Sequence, residues 1–283
     1  GFAGDIVKAV SDLLLQQTGK VTVLGKRLID PGLHSPDESL RAEMEPPRTK
    51  AVQEGTVTDE QLDALREALR LIEHHELAAD ALDKAETILL RLTSVDPVTA
   101  ARAYGSLAEV CYWRGEEAAH KLPIYQKAVE YGEKGVALNP ASIESQFWLA
   151  TSYGLLGQER GILDSLFLVK PIEAHLHKAI EIEESYFNGA PHRALAWVLH
   201  KLPPWPLSHG DNKDAMEHIL QALKFGPEFP LNHLYAGEIA LSLRNTKEAR
   251  HHLQWVLDHP LSENHAREEA RHKARAAELL KKV

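Results

Sequence analysis

The feature that most constrains the fold is a small residue followed, 12 positions later, by a proline. The spacing recurs in three pairs: Ala85 and Pro97, Ala128 and Pro140, and Ala215 and Pro227. A small residue lets two helices approach closely, and a proline stops a helix because it lacks a backbone donor. A regular internal period of this kind predicts helix pairs stacked into a solenoid.

Two further copies are degenerate, namely Ile172 with Glu184 and Ala249 ahead of Pro260. The first helix of each repeat is predicted to carry a large-small pair, found at Leu107-Ala108, Leu149-Ala150, Leu195-Ala196 and Ala236-Gly237. From this small residue to the small residue of the second helix there are 12 positions in the last repeat, but 20, 22 and 19 in the three before it. The extra length predicts three enlarged turns along one edge of the solenoid.

This pattern is typical of tetratricopeptide repeats, whose period is about 34 residues. The predicted fold is an all-α, right-handed solenoid of about five helix pairs over residues 58–283, with enlarged intra-repeat turns. Thr58 to Gln61 resembles a capping box at its start. A charged helix from His265 to Lys282 closes it, with charges predicted to form a solvated face.

Residues 1–57 form a separate region, with an amphipathic segment at 4–17 and an extended, proline-bearing arm after it. The apolar face of that segment is too small to fold alone. We therefore expect the arm to dock on its own solenoid or on a neighbouring subunit.

Composition excludes several classes of protein. The net charge of -9 opposes binding to a phosphate backbone, so nucleic acid is not an expected partner. No apolar stretch reaches the roughly 20 residues that span a bilayer, so no transmembrane segment is predicted. The single cysteine, Cys111, lies in an apolar helical run and is predicted to be a small buried hydrophobe.

Neither catalysis nor a cofactor is predicted. None of the 16 histidines is paired with another at the spacing that places two ligands on one helical face, so no metal site is expected. A glycine-rich phosphate loop, a nucleophile elbow and a zinc-protease motif are all missing. No carboxylate stands out in an apolar stretch as a group with a raised pKa.

The enlarged turns are unexpectedly apolar. They comprise residues 115–125, 157–171 and 201–210. We expect them to pack on the solenoid or to form part of a binding site with the Tyr186 to Arg193 connection. Candidate binding residues are Tyr112, Trp113, Trp148, Tyr153, Phe167, Phe187, His192, Arg193, Trp197, Trp205, Asn232 and Tyr235. The alternative is that the aromatic residues belong to the core and that Trp205 is buried against its own repeat.

Two families resemble the chain over about residues 58–283. Gly161-Ile162-Leu163 and the run from Lys170 to Ile182 resemble the regulator-of-microtubule-dynamics family of tetratricopeptide proteins. The run from Tyr186 to Leu195 and the segment Pro206-Leu207-Ser208-His209-Gly210-Asp211 resemble TatT, the tetratricopeptide lipoproteins associated with TRAP transporters. Pro230 to Tyr235 fits both.

The two resemblances imply binding proteins rather than enzymes. TatT proteins are periplasmic oligomers that associate with a solute-binding protein, and some members of the other family bind phospholipid within the repeat domain. The lipidated cysteine near the amino terminus of TatT has no counterpart here.

The leading hypothesis is a non-catalytic scaffold of the bacterial envelope or periplasm. It would dock a protein partner, or another copy of itself, through its repeat groove and inserted-loop edge. The alternative is a carrier of a lipid or another apolar small molecule. A cytoplasmic location is the alternative to the envelope.

Overall fold

A computed structural model describes residues 57–283, so the arm predicted over 1–57 lies outside the described residues apart from its last position. The described chain contains no strand, which agrees with the predicted all-α fold. Its α-helices are α1 Asp59–Glu73, α2 Ala81–Leu92, α3 Pro97–Glu117, α4 Leu122–Leu138, α5 Ile143–Arg160, α6 Ile162–Glu183, α7 Tyr186–Lys201, α8 Asn212–Phe225, α9 Pro230–Ser242, α10 Thr246–Asp258 and α11 Ala266–Leu280. A short 3-10 helix, His75–Leu77, follows α1.

These helices form five consecutive pairs in the described part of the chain, α1/α2 to α9/α10, and α11 closes the array. The predicted large-small pairs fall on the first helices α3, α5, α7 and α9, and the matching small residues fall on the second helices. Ala85, Ala128, Ala215 and Ala249 are almost completely buried where the two helices of a pair meet. The repeat prediction is therefore confirmed.

Polar side chains begin several helices. Thr58 and Gln61 form the predicted capping box, in which the Thr58 hydroxyl accepts from the Gln61 amide and the Gln61 side chain accepts from the Thr58 amide. Asp96 caps α3, whose first residue is Pro97. Pro97 thus stands at the first helical position, where a proline loses no hydrogen bond, whereas Pro140 and Pro227 lie in the turns before α5 and α9.

The enlarged turns differ from the prediction at two of three places. In the first, α3 continues to Glu117 and leaves only residues 118–121 as a turn. In the second, α5 and α6 are separated by Gly161 alone, at φ 108°. Ser165, Leu168 and Ile172 occur at helical spacing and face the interior, so this apolar run extends a helix instead of a loop. Only the third insertion, Leu202 to Asp211, is a loop, because its prolines exclude a helix.

The α7 helix starts with a left-handed kink formed by Phe187, Asn188 and Gly189, whose φ values are 44°, 58° and 77°. Gly189 is required there, since a Cβ atom would lie 2.7 Å from the Cα atom of Ala222 in α8. Asn232 stabilises the kink from α9, and its amide nitrogen donates to the Asn188 carbonyl over 3.0 Å. The kink sets the direction of the rest of α7.

The array closes on itself. The carboxylate of Glu76, in the first helix pair, accepts from the backbone amides of Arg267 and Glu268 at the start of α11, over 2.8 and 3.1 Å. The Trp113 ring of α3 contacts both His75 and His265, with ring centroids 4.5 and 6.3 Å away, and the two histidine rings lie 6.3 Å from each other. The solenoid is therefore a ring of helices around a central space.

Candidate functional site

The central space is a cavity of about 630 Å³. Its wall comes from the first helices α3, α5, α7 and α9, with part of α6, and α11 lies across it. Most of the wall is apolar, including Phe147, Leu176 and Leu234. The size matches that of small-molecule sites, which occupy about 300–1,000 Å³.

Aromatic residues form much of this wall. Trp197 of α7 stacks on Tyr235 of α9, with ring centroids 4.0 Å apart. On the neighbouring helices, Tyr112 and Trp148 lie 5.4 Å apart, and the Trp148 indole donates to the Tyr186 hydroxyl over 3.1 Å. These contacts hold the rings in fixed orientations around the cavity.

Arg193 is a charged residue set deep in this wall. Its side chain lies on α7 and is 5% exposed. The guanidinium donates to the Phe187 and Asn188 carbonyls and, over 3.0 Å, to the Asn232 side-chain oxygen. It also lies over the Phe229 ring, 4.6 Å from the centroid.

All these acceptors are neutral, and within residues 57–283 no carboxylate forms an ion pair with Arg193. Burial lowers the pKa of its guanidinium from 12.5 to about 10, and the nearby Tyr235, Tyr112 and Glu268 offset part of that effect. The group is still protonated at neutral pH. The cavity therefore has an apolar wall and a fixed positive charge.

A charged cluster lies at the edge of the cavity. Glu238 of α9 accepts from Lys201 over 3.1 Å and from Arg275 of α11 over 3.0 Å. Burial would raise the pKa of Glu238, but the neighbouring His200 and the charges of Lys201 and Arg275 lower it to about 2. Its negative charge is thus compensated, in contrast to the positive charge of Arg193.

Eight of the twelve predicted site residues line the cavity: Tyr112, Trp113, Trp148, Tyr153, Phe187, Arg193, Trp197 and Tyr235. The other four do not. His192 and Asn232 are buried in contacts between helices, while Phe167 and Trp205 are on the outside and are 44% and 85% exposed. Trp205 is therefore not packed against its own repeat.

The sequence did not reveal how α11 contributes. Its charged residues were expected to form a solvated face, yet Glu268, Arg271, His272 and Arg275 line the cavity. Burial raises the pKa of Glu268 to about 7, with Glu116 and Glu76 adding to the effect and Arg271 opposing it. The surface that α11 covers follows from ring closure, which pairs residues nearly 200 positions apart and leaves no local signal.

The expectation that no carboxylate has a raised pKa was wrong. Burial raises the pKa of Glu109 to about 8 and that of Glu133 to about 7. Glu109 bonds to the Trp113 side chain, and Glu133 accepts from the Tyr153 hydroxyl over 2.7 Å. Glu109 does stand in the apolar run Leu107 to Trp113, which was the available signal. Neither residue is part of the cavity wall, so both are read as packing partners of residues that are.

The histidines come together across helices and not along them. His192 Nδ1 lies 3.1 Å from His218 Nδ1, and His233 Nδ1 lies 3.0 Å from His252 Nδ1. Each pair joins the two helices of one repeat at the same two repeat positions. Earlier repeats have other pairs at those positions. In one, Gln146 lies 2.6 Å from His175, and in the other, the Tyr104 ring lies beside the Tyr131 ring. We call these four pairs the polar ladder.

Residues 57–283 contain no group of three or more side chains placed to hold a metal ion. Within the same range, no helix has the length and hydrophobicity needed to span a membrane. Cys111 is buried, as predicted, and burial raises the pKa of its thiol to about 11.

Comparison with solved structures fits this architecture. The crystal structure of TTC0263, a thermophilic TPR protein in Thermus thermophilus, aligns with a TM-score of 0.52 at 20% identity, over 78% of this chain and 98% of that one. The chain is a tetratricopeptide-like helical-repeat protein. MamA aligns with a TM-score of 0.44 at 17% identity over 72% and 97% of the two chains, and yeast Tom70 with 0.33 at 14% over 99% and 80%.

At the sequence level, residues 63–189 of this tetratricopeptide-like protein match the family described as regulator of microtubule dynamics protein 1-3. The matched region includes Gly161 and α6, where the main predicted resemblance to that family was located. It covers less than half of the chain. No curated protein sequence matches the chain.

Proposed function

We propose that this tetratricopeptide-like protein is a non-catalytic carrier that holds an apolar molecule with an acidic group in its central cavity. The apolar body would lie against the aromatic wall, and the acidic group would bind Arg193. The observation that carries this proposal is the buried guanidinium, which has no ion-pair partner among the described residues.

The free energy of burial supports the proposal. Removing a cation from water is costly unless the cation is paired, and neutral carbonyls compensate only part of that cost. An anionic group entering the cavity would complete the pairing with a charge-assisted hydrogen bond. A purely apolar ligand would gain nothing from Arg193, so the acid is preferred over its uncharged derivative.

Binding of a fluorescent fatty acid tests the proposal. cis-Parinaric acid should bind the full chain with a rise in fluorescence, and its methyl ester should bind at least about tenfold more weakly. Replacement of Trp197 by Ala should weaken binding of both probes, because it removes part of the wall. Phe167→Ala is the matched control, since Phe167 is an aromatic residue outside the cavity. Equal affinity for acid and ester would contradict the role of Arg193.

The second candidate function is the scaffold that the sequence favoured. Its support is Trp205, which is 85% exposed at the tip of the loop between α7 and α8. The loop is anchored by a 2.5 Å contact between His209 and Glu173 and by a bond from the Gly210 amide to the Pro203 carbonyl. An exposed tryptophan on an anchored loop is a typical anchor for a protein partner.

Purification from the native source separates the two functions. A bound amphiphile in native mass spectra would support the carrier, and a co-purifying chain lost with Trp205→Ala would support the scaffold.

The resemblance to TatT also supports a proposed periplasmic or envelope location. Cell fractionation with an antibody against the chain would test that location.

A further inference from the structure

The two halves of α11 are held in different ways. In the carboxyl-terminal half, Ala276 and Leu279 are buried in an apolar cluster with Leu253 and Val256 of α10. Lys273 reinforces this attachment, since its ammonium donates to two carbonyls at the end of α10 over 2.8 Å. This half belongs to the solenoid in the same way as any capping helix.

The amino-terminal half is held to the first helix pair by polar contacts. Glu76, whose side chain is 6% exposed, accepts from the amides of Arg267 and Glu268. Two more exposed ion pairs join the half to α3, Arg267 with Glu117 at 3.1 Å and Arg271 with Glu116 at 3.9 Å. We call the contact between Glu76 and the first turn of α11 the clasp. Exposed ion pairs contribute little to stability, so the clasp is the main polar attachment of this half of α11.

The closed position also leaves polar atoms unsatisfied. His265 Nδ1, just before α11, and His272 Nδ1, within this half of it, are buried and have no hydrogen-bond partner in the described structure. Exposure to water would satisfy both atoms, so opening recovers part of the free energy lost with the clasp.

We infer that the amino-terminal half of α11 is a movable gate of the central cavity, locked by the clasp. The same half contributes Glu268, Arg271 and His272 to the cavity wall, so its displacement opens the cavity directly. The hinge lies near Lys273, where polar attachment gives way to apolar packing. The gate rests on the carrier proposal for its role, since its opening would widen the way to the cavity, but it can be tested without any ligand.

Labelling of a cysteine inside the cavity tests the gate. Ala194 lines the cavity, and Ala194→Cys adds a single sulfur atom there. We expect a fluorescein maleimide to label this cysteine slowly in the Ala194→Cys protein and roughly tenfold faster when Glu76→Ala is added. Loss of one helix cap destabilises the closed position by an amount that corresponds to roughly this change in the labelling rate. Cys111, which is buried, gives the background rate in the parent without Ala194→Cys. Glu73→Gln, an exposed carboxylate change at the end of α1, should leave the rate unchanged.

Hydrogen exchange provides the second readout. In the Glu76→Ala protein, exchange should accelerate in residues 266–272 and remain slow in residues 276–280. Glu76→Gln is the milder variant if the alanine protein does not fold. Unchanged exchange in 266–272 would overturn the clasp, and faster exchange with unchanged labelling would overturn the gate. Failure of parinaric acid to bind would count against the carrier proposal alone.

Discussion

Replacing Arg193 by Met tests the structural and the binding role of this residue together. The guanidinium donates to three acceptors, namely the Phe187 and Asn188 carbonyls and the Asn232 side chain. Hydrogen bonds from a charged donor contribute about 1.5–3 kcal/mol each, so at the lower end the loss of all three costs about 4.5 kcal/mol. Removing the buried charge offsets part of this cost.

The offset follows from the pKa of Arg193, which burial lowers from 12.5 to about 10. At 1.36 kcal/mol per pKa unit, this corresponds to about 3–4 kcal/mol of unfavourable burial. The hydrogen bonds therefore outweigh the burial cost, and Arg193→Met should reduce the free energy of unfolding by about 1 kcal/mol. For a domain of this size the melting temperature should fall by about 2–4 °C.

Two assays separate the two roles. Circular dichroism at 222 nm measures the melting temperature, and titration with cis-parinaric acid and its methyl ester measures binding below that temperature. Arg193→Met should weaken binding of the acid roughly tenfold to hundredfold and leave that of the ester unchanged, since only the acid forms the charge-assisted contact. Arg193→Lys, which keeps the charge but not the planar fork, should lose stability while retaining preference for the acid.

Both expected results, the loss of acid binding and the loss of stability, have an outcome that would contradict them. Undiminished binding of the acid to Arg193→Met would refute the assignment of the acidic group to this position. An unchanged melting temperature would refute the role of Arg193 in holding the kink of α7. Equal loss of acid and ester binding would indicate a collapsed cavity, and Arg193→Lys would then decide whether the charge contributes.

Three further predictions concern titratable and exposed residues. Burial raises the pKa of Glu268 to about 7, so the folded chain binds a proton at this carboxyl group more tightly than the unfolded chain does. The free energy of unfolding should therefore fall as pH rises from about 4.5 to 7, and Glu268→Gln should reduce the accompanying fall in melting temperature. Burial and the charges of His233 and His251 lower the pKa of His252 to about 4, so stability is lost as pH falls from about 6.5 to 4; His252→Gln should reduce the loss between pH 7 and 5. Trp205→Ala should change the free energy of unfolding by less than about 0.5 kcal/mol, measured by urea denaturation, because the side chain is 85% exposed.

The helix pairs could be predicted from the sequence because their signals are local. Ala128 and Pro140, for instance, fix where a helix packs and where it stops within one repeat. The enlarged turns were harder to predict, because the apolar residues in 157–171 fit either an apolar loop or a helix that faces the cavity. The deciding property is their spacing: Ser165, Leu168 and Ile172 follow a helical period, whereas the loop after Lys201 contains three prolines.

The site could be predicted only in part. Tyr112, Trp148 and Trp197 were identified as aromatic residues that could belong either to a pocket or to the core, and all three lie in the cavity wall. The polar ladder, which lies outside the cavity wall, was missed because its partners lie on different helices, although the register was already available. His192 and His233 each lie four positions before the small residue of a first helix, and His218 and His252 lie three positions after that of a second helix. Aligning the repeats by these small residues would have placed the pairs opposite each other.

Ring closure determines which kind of ligand the tetratricopeptide-like array can take. An open solenoid presents a concave groove that is free at both ends, which suits an extended peptide. Here α11 meets the first helix pair through Glu76, so the groove becomes a cavity of about 630 Å³. With α11 in this position the space suits a small amphiphile better than an extended peptide. Under the carrier proposal, the contact that favours a small ligand is thus the same contact whose release would widen the way in.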